Sequence, residues 1–91
     1  MRLDLFLKLS RLCPRRTVAQ KLCDAGFVFL NGRVAKSAHE VHTGDEVIIR
    51  TTTSETFARV ISVPASRNVS RRDAKSLVDV ITKKGFDSAT P

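Results

Sequence analysis

The dipeptide Asn31-Gly32 constrains the fold of this chain more than any other feature of its sequence. A type I′ turn needs a positive φ at both central residues, and Asn-Gly is a strongly preferred pair for it. The apolar segment Phe27–Leu30 precedes the pair, and Arg33–Ala35 follows it. We therefore expect a β-hairpin here, and an all-helical fold is excluded.

Helical spacing characterises the residues before the hairpin. The apolar pattern from Leu3 to Leu12 predicts a first short helix, with Asp4 in its first turn, where a carboxylate can accept from free backbone N–H groups. Pro14 is expected in the first turn of a second helix. Gly26 is expected to end that helix, because glycine adopts a positive φ without strain.

Further strands are predicted beyond the hairpin. A turn at Gly44-Asp45 precedes a strand over Glu46–Arg50. A second strand over Phe57–Val63 should stop at Pro64, since proline cannot donate to a ladder. Residues 65–69 would then form a linker.

The last part of the sequence is interpreted as a C-terminal helix. Ser70–Asp73 has the form of a capping box. Its apolar stripe would consist of Ala74, Leu77, Val78 and Ile81. Lys83 and Lys84 suit the last turn and Gly85 the end. The predicted fold class is therefore α+β, with two N-terminal helices on a small, mainly antiparallel sheet in residues 1–64. A linker, the C-terminal helix and a frayed end would occupy residues 65–91.

The charge of the chain points to a polyanionic partner. The 91 residues carry 16 basic and 9 acidic side chains, a net charge of +7, in a length that suits one domain. Six of the basic residues and only one acidic residue lie within residues 1–21. Nucleic acid is the first expectation for such a partner, and an anionic membrane surface or duplex DNA is a weaker alternative.

The same segment argues against export or membrane insertion. Its apolar residues are interrupted by Asp4, Lys8 and Arg11, which does not fit a signal peptide. No apolar run reaches the ~20 residues that a membrane-spanning helix needs. We therefore expect a cytoplasmic protein.

The cysteines and histidines do not suggest metal binding or catalysis. Cys13 and Cys23 lack the close spacing of zinc ligands, and His39 and His42 are only three residues apart. Reduced, partly buried thiols are the simpler interpretation. We predict no metal, no cofactor and no catalytic residue, and hence a protein that is not an enzyme.

The start of the second helix is a candidate phosphate site. Arg15, Arg16 and Thr17 fall in its first turn, where free N–H groups and the helix dipole attract anions. Lys8 and Arg11 would share a face of the first helix. Arginine can also grip phosphate oxygens with two parallel hydrogen bonds. The alternative is a charged surface that serves solubility alone.

Several motifs together resemble the S4-type RNA-binding domain, whose fold is also described as αL. They are RLD at residues 2–4, SRL at 10–12, RRT with Ala19 at 15–19, GFVFLNG at 26–32 and GDEV at 44–47. The resemblance covers about residues 1–50, and the ordered series is more specific than any single motif. The short length and the MRLD start are similar to the family's stand-alone bacterial members in ribosome-associated quality control.

The resemblance implies a non-catalytic, monomeric RNA-binding factor. Such factors bind a split large ribosomal subunit with a stalled nascent chain, contact 23S rRNA and P-site peptidyl-tRNA, and assist a partner that adds a C-terminal tail. A related small heat-shock protein binds nascent-chain-bearing large subunits, so a recycling role is one alternative. A protein-binding adaptor that uses the C-terminal helix is another.

The resemblance also assigns residues to roles. The expected RNA contacts are Arg2, Lys8, Arg11, Arg15, Arg16, Thr17, Lys21 and Lys36. The expected structural residues are Asp4, Gly26, Asn31, Gly32 and Gly44, with Asp4 as a helix cap that also orients Arg2 or Arg16. Leu5 replaces a lysine that is frequent in the family. Phe27 and Phe29 should face away from the core and either receive the C-terminal helix, which we favour, or stack on RNA bases.

Overall fold

In the computed structural model, residues 1–64 and 76–85 are described, and they form two helices and a five-stranded sheet. The elements are α1 (Leu3–Leu9), α2 (Arg16–Asp24), β1 (Val28–Leu30), β2 (Arg33–Val34), β3 (Glu46–Arg50), β4 (Ser54–Val60) and β5 (Val78–Gly85). All neighbouring strands pair antiparallel, in the order β2-β1-β3-β4-β5. The predicted pair of helices on an antiparallel sheet is confirmed.

The second helix starts later than predicted and ends where predicted. Arg15 has an extended backbone and precedes the first helical residue, so Pro14 lies before α2 and not in its first turn. Gly26 follows the helix with a φ of +81°. Its N–H donates to the carbonyl of Cys23, and the N–H of Phe27 donates to Leu22. This pair of bonds is a Schellman motif, in which glycine adopts the left-handed conformation at no steric cost.

The Asn31-Gly32 turn is present and is tied to a second turn. The φ angles of Asn31 and Gly32 are +52° and +83°, as a type I′ turn requires. The Asn31 side chain donates to Asp45 over 3.0 Å and accepts from the N–H of Glu46 over 2.9 Å. Gly44, also at positive φ, lies in that second turn. One amide therefore fixes two loops at the same end of the sheet.

The two faces of the sheet have different environments. The inner face contributes Val28, Leu30, Val47, Ile49, Ala58 and Val60 to the core. These residues form one core with buried side chains of both helices, among them Leu3 and Phe6 of α1 and Ala19 and Cys23 of α2. Because side chains alternate along a strand, Phe29, Ile48 and Phe57 point to the opposite side, which we call the outer face.

The strand predicted at Phe57–Val63 is shifted toward the N-terminus. It begins at Ser54 and ends at Val60, after a tight turn over residues 51–53. The Thr51 hydroxyl oxygen accepts from the N–H groups of Thr53 and Ser54, at 3.3 and 3.0 Å. This side chain stabilises the turn, so the chain reverses early and Ser54, Glu55 and Thr56 become pairing residues of β4.

The predicted C-terminal helix is wrong over its described part. Leu77 lies in a turn, and Val78–Gly85 forms β5, which pairs with β4. A short apolar run with Val, Val, Ile and Thr suits a strand as well as a helix, and the open edge of β4 decides the outcome. Lys83, Lys84 and Gly85 accordingly lie in a strand and do not end a helix. The predicted linker and the capping box at Ser70–Asp73 lie outside the described residues.

Candidate nucleic-acid interface

Asp4 is the centre of the candidate site. Its carboxylate is fully buried at 0% exposure, although it is charged. Arg2 donates from Nε to Oδ1 over 3.3 Å and from Nη2 to Oδ2 over 3.4 Å, and Arg16 Nε donates to Oδ2 over 3.2 Å. Gln20 Nε2 donates to Oδ2 over 2.9 Å. We call these four residues the Asp4 cluster.

The cluster keeps Asp4 ionised. Burial by itself would raise the pKa of this carboxyl group. The hydrogen bonds donated by Gln20, Arg16 and the Leu5 N–H, together with the positive charge of Arg16, outweigh burial and hold the pKa below its ordinary value. A charged carboxylate in turn fixes the two arginines, since hydrogen bonds between ions are stronger than neutral ones.

Both arginines keep donors for a ligand. The side chain of Arg2 is 50% exposed and that of Arg16 is 38% exposed. Within the described part of the chain, nothing accepts a hydrogen bond from the two terminal nitrogens of Arg16. Each guanidinium is thus held by one edge while another edge faces solvent, an arrangement suited to phosphate oxygens.

The predicted capping role of Asp4 is only partly correct. Asp4 does accept from one backbone N–H, that of Leu5, over 2.8 Å. The first N–H groups of α1 are satisfied from elsewhere: Leu3 donates to the His39 carbonyl and Asp4 to the Ser37 carbonyl, at 2.8 and 3.1 Å. The segment after β2 therefore runs past the start of α1. Lys36 is exposed and precedes Ser37, the residue whose carbonyl accepts from the Asp4 N–H.

The other predicted contacts lie along the two helices. Arg15 is the N-cap residue of α2 and makes no side-chain capping bond, so the first N–H groups of α2 have no side-chain cap. Thr17 and Lys21 are exposed and four residues apart, on one face of α2. Lys8 lies in the last turn of α1, which ends at Leu9, whereas Arg11 follows the helix with a φ of +65°. The predicted shared helical face of Lys8 and Arg11 is therefore wrong, because the helix stops before Arg11. The structure thus brings Arg2 and Arg16 together on Asp4 and leaves the other predicted contacts spread over the surface around them.

The cations of this surface differ from those of the sheet. Arg50 and Arg59 on the sheet pair with Glu55 and Glu46, at 2.8 and 3.1 Å. No ion pair within residues 1–64 and 76–85 involves the following predicted contacts: Lys8, Arg11, Arg15, Lys21 and Lys36. The helical surface therefore carries unneutralised positive charge, whereas the positive charges of Arg50 and Arg59 are neutralised by neighbouring glutamates.

Gln20 is a site residue that the sequence reasoning missed. Gln20 carries no charge and lies outside the S4-type motifs of the sequence. The available signal was its position four residues after Arg16, which places both side chains on the same face of α2. That spacing explains how one carboxylate oxygen of Asp4 accepts hydrogen bonds from both Arg16 and Gln20.

The cysteines are buried and are not disulfide-bonded. Burial raises the pKa of the Cys13 thiol to about 11, with a further contribution from nearby Cys23. Burial also raises the pKa of the Cys23 thiol to about 11, helped by Asp4 and Asp24. Both side chains pack in the core as neutral thiols.

Metal-binding clusters and membrane-spanning helices are both absent from residues 1–64 and 76–85. These residues contain no group of three or more His, Cys, Asp or Glu side chains arranged to hold a metal ion. None of their helices has the length and apolar character that crossing a membrane requires.

The expected packing of a C-terminal helix on Phe27 and Phe29 does not occur in the described part of the chain, where Leu77–Gly85 forms a turn and a strand. Phe27 is half-buried at the start of β1, and Phe29 lies on the outer face. The Arg50 guanidinium carbon lies 5.7 Å from the centre of the Phe29 ring, a cation–π contact.

The sequence of this chain is similar to a known domain family and to named proteins of other bacteria. The S4 domain family model matches residues 1–47. A protein of Halalkalibacterium halodurans named RQC P-site tRNA stabilizing factor is 40% identical over 80 residues, which are 88% of this chain and 89% of that protein. A protein of Helicobacter pylori with the same name is 34% identical over 84 residues, 92% of this chain and 100% of that protein.

Two solved structures have a similar fold. Heat Shock Protein 15 of Vibrio cholerae, described as trimeric, aligns with a TM-score of 0.77 and 25% identity over 88% of this chain and 80% of that one. The solution structure of a hypothetical protein aligns with a TM-score of 0.77 and 34% identity, over 92% and 100% of the two chains.

Proposed function

Because the chain belongs to the S4 domain family and to the family of RQC P-site tRNA stabilizing factors, we propose that it is a non-catalytic RNA-binding factor of ribosome-associated quality control. It binds the split large ribosomal subunit that still carries a stalled nascent chain. There it contacts 23S rRNA and the P-site peptidyl-tRNA, and it assists a partner factor that extends the stalled peptide at its C-terminus.

The Asp4 cluster is the observation that carries this proposal. Two arginines from the starts of two helices are oriented by one buried carboxylate, and both keep exposed donors. Orientation before binding lowers the ordering entropy that a flexible arginine loses when it grips a phosphate. Arg2 and Arg16 are the primary contacts in this proposal.

The remaining cations extend the contact along the RNA backbone. Lys36 precedes Ser37, whose carbonyl contacts the start of α1, Arg15 is the N-cap of α2, and Lys21 lies six residues after Arg15 on the same helix. Lys8 and Arg11, near the end of α1, contact a second stretch of the RNA backbone. Folded RNA is recognised mainly by its shape and by phosphate and 2′-hydroxyl contacts, because side chains cannot read its narrow major groove. The factor thus recognises a shape and acts as a clamp.

A recycling role on nascent-chain-bearing large subunits is the second candidate, favoured by the similarity in fold to Heat Shock Protein 15. Both roles would use the same RNA-binding surface, so the fold alone does not distinguish between them. The tailing of stalled peptides in cells that lack the protein separates the two. The adaptor alternative loses its basis, because the apolar stripe that it required contributes to a strand.

The test is sedimentation of the tagged protein in a cell lysate, with sequencing of the RNA that comigrates. We expect the protein in the fraction of free large subunits, together with peptidyl-tRNA. Arg2→Ala combined with Arg16→Ala should move it to the top of the gradient, since both oriented contacts are lost.

A matched control removes the same charge elsewhere. Arg33→Ala combined with Lys83→Ala also deletes two exposed cations, one from β2 and one from β5. This variant should sediment like the wild type. A wild-type protein that stays at the top of the gradient, or a cluster variant that sediments unchanged, would contradict the proposal.

A further inference from the structure

The outer face of the sheet carries three rows of side chains that run across the strands. The central row is largely apolar and joins Val34, Phe29, Ile48, Phe57 and Thr82, which are successive cross-strand partners. Val34 is 59% exposed. Phe29, Ile48 and Phe57 are half-buried. The outer face is therefore an apolar surface on the side away from the helices.

Two charged rows flank the central row. On one side, which we call row A, Arg59 lies between Glu46 and Asp79. On the other side, which we call row B, Glu55 lies between Arg50 and Lys84. Row A thus alternates acid, base, acid, and row B alternates base, acid, base. With three acids and three bases, the face has no net charge and offers no general attraction for the phosphates of RNA.

A β-bulge makes this pattern possible. Asp79 and Lys84 are five residues apart and would point to opposite faces of a regular strand. The register of β5 shifts between Phe57 and Ala58, where Ala58 pairs with Val80 and Phe57 pairs with Thr82. Ile81 is the extra residue, and it is 49% exposed. The bulge therefore places Lys84 in row B on the same face as Asp79 in row A.

We propose that the outer face is a self-association surface, on which a second copy of this chain docks face to face about a two-fold axis parallel to the central row. Such a rotation lays row A of one copy over row B of the other. Glu46 then faces Arg50, Arg59 faces Glu55, and Asp79 faces Lys84. Each pair occurs twice, so six opposite-charge pairs surround the apolar centre.

The charges also exclude the other face-to-face arrangement. A two-fold axis along β4 would lay row A over itself, so that Arg59 meets Arg59 and Glu46 meets Asp79. Like charges that face each other across an interface strongly disfavour this second arrangement. The first axis keeps the strands of the two sheets roughly aligned, which is a preferred way for sheets to pack. The helical surface stays exposed on both copies, so RNA binding is not blocked.

The contact is small, so the association is weak. Five strands at ~4.8 Å spacing and three rows give a face of about 400 Å² per copy, below the ~800 Å² per partner of a stable complex. This inference departs from the monomer expected from the sequence, and it is independent of the proposed RNA-binding role.

Sedimentation equilibrium at protein concentrations from about 10 µM to about 1 mM tests the proposal, because two copies that share an interface this small should associate weakly. The average mass should rise from that of one chain toward that of two. Arg59→Glu and Glu55→Arg should each weaken association at least about tenfold, because each creates two like-charge pairs across the axis. An equimolar mixture of the two variants should recover association, because the heterodimer restores opposite charges at both positions.

The recovery distinguishes an interface from a folding effect. Each variant also places like charges next to each other within its own sheet, which should lower the stability of the single chain. Thermal unfolding measures this loss of stability, and mixing the two variants cannot reverse it. Lys83→Glu is the matched control, because Lys83 pairs with Thr56 and points to the inner face. Three outcomes overturn the proposal: a wild type that remains a single chain at about 1 mM, single variants that associate like the wild type, or a mixture that does not recover.

Discussion

Gln20 donates a hydrogen bond to the buried carboxylate of Asp4 over 2.9 Å, from one helix to the first turn of the other. The same carboxylate oxygen accepts from Arg16 over 3.2 Å. Gln20 carries no charge and does not need to touch the RNA, yet it restrains the group that orients both arginines. It is therefore a positioning residue of the proposed RNA-binding site.

Gln20→Ala should weaken binding to purified large subunits about 2- to 10-fold, the value of one net hydrogen bond. The variant removes no charge, so the dependence of affinity on salt should stay the same. Binding assays at several salt concentrations measure both quantities. A changed salt slope would mean that Gln20 acts on the number of phosphates contacted, which would contradict a positioning role.

The cluster should also make stability depend on acid. The pKa of Asp4 is lowered from 3.8 in the folded protein, so the unfolded chain takes up a proton first as the pH falls. The stabilisation by the Asp4 carboxylate is present above about pH 4 and is lost as the pH drops through its folded pKa. Asp4→Asn should therefore be less stable than the wild type at pH 7, with a difference that shrinks below pH 4.

Urea unfolding of both proteins between about pH 2.5 and pH 7 measures this difference directly. The other carboxyl groups are common to the two chains, so their contributions cancel in the comparison. A difference that does not change with pH would show that Asp4 does not titrate as an ion in the folded protein.

Binding of the large subunit should depend strongly on salt. If five or six phosphates are neutralised, the logarithm of the association constant should fall by roughly 4–5 for each tenfold rise in salt. Arg15→Ala should reduce that slope by about 0.7–0.9, because it removes one phosphate contact. Filter binding over a salt series gives the slope, and a slope near zero would rule out phosphate recognition.

The two thiols should resist alkylation in the folded protein. Cys13 and Cys23 are 1% and 3% exposed, and both have a pKa of about 11. Iodoacetamide at pH 8 should label neither side chain until denaturant is added, because the reactive thiolate is scarce and shielded. Mass spectrometry counts the labels, and rapid modification of either thiol in the native state would contradict this expectation.

Substitutions at Leu77 and Ile81 distinguish the observed strand from the helix that the sequence pattern predicts. Leu77 is 4% exposed and Ile81 is 49% exposed. Leu77→Ala should cost about 2–4 kcal/mol of unfolding free energy, as a buried leucine does. Ile81→Ala should cost under about 1 kcal/mol, since the bulge leaves its side chain largely in water. In the helical interpretation both residues belong to one buried stripe and would cost similar amounts.

Sequence reasoning was most successful where a residue's backbone requirement was specific. Asn31-Gly32 and Gly26 adopt the predicted positive φ values, and they determine where the hairpin turns and where α2 stops. The strand over Glu46–Arg50 was also predicted with its bounds. These features depend on local geometry, which a short stretch of sequence specifies by itself.

The errors concern features that depend on distant partners. Val78–Gly85 has apolar positions compatible with either periodicity, and only the unpaired edge of β4 selects the strand. The contact between Gln20 and Asp4 spans sixteen positions of the chain and follows from the packing of α1 on α2. Neither partner can be inferred from local spacing, because tertiary contacts override weak local preferences.

The turn between β3 and β4 offers a place to attach a reporter. Its backbone groups form hydrogen bonds within the turn. The Thr51 hydroxyl oxygen accepts from two N–H groups, and the Thr51 N–H donates to the Ser54 carbonyl over 2.8 Å. Thr52 is exposed, and no hydrogen bond of this turn depends on its side chain. Because both native cysteines are buried, Thr52→Cys would give a single thiol that reacts with a maleimide dye. A fluorophore there would follow the protein onto its particle without occupying the Asp4 cluster.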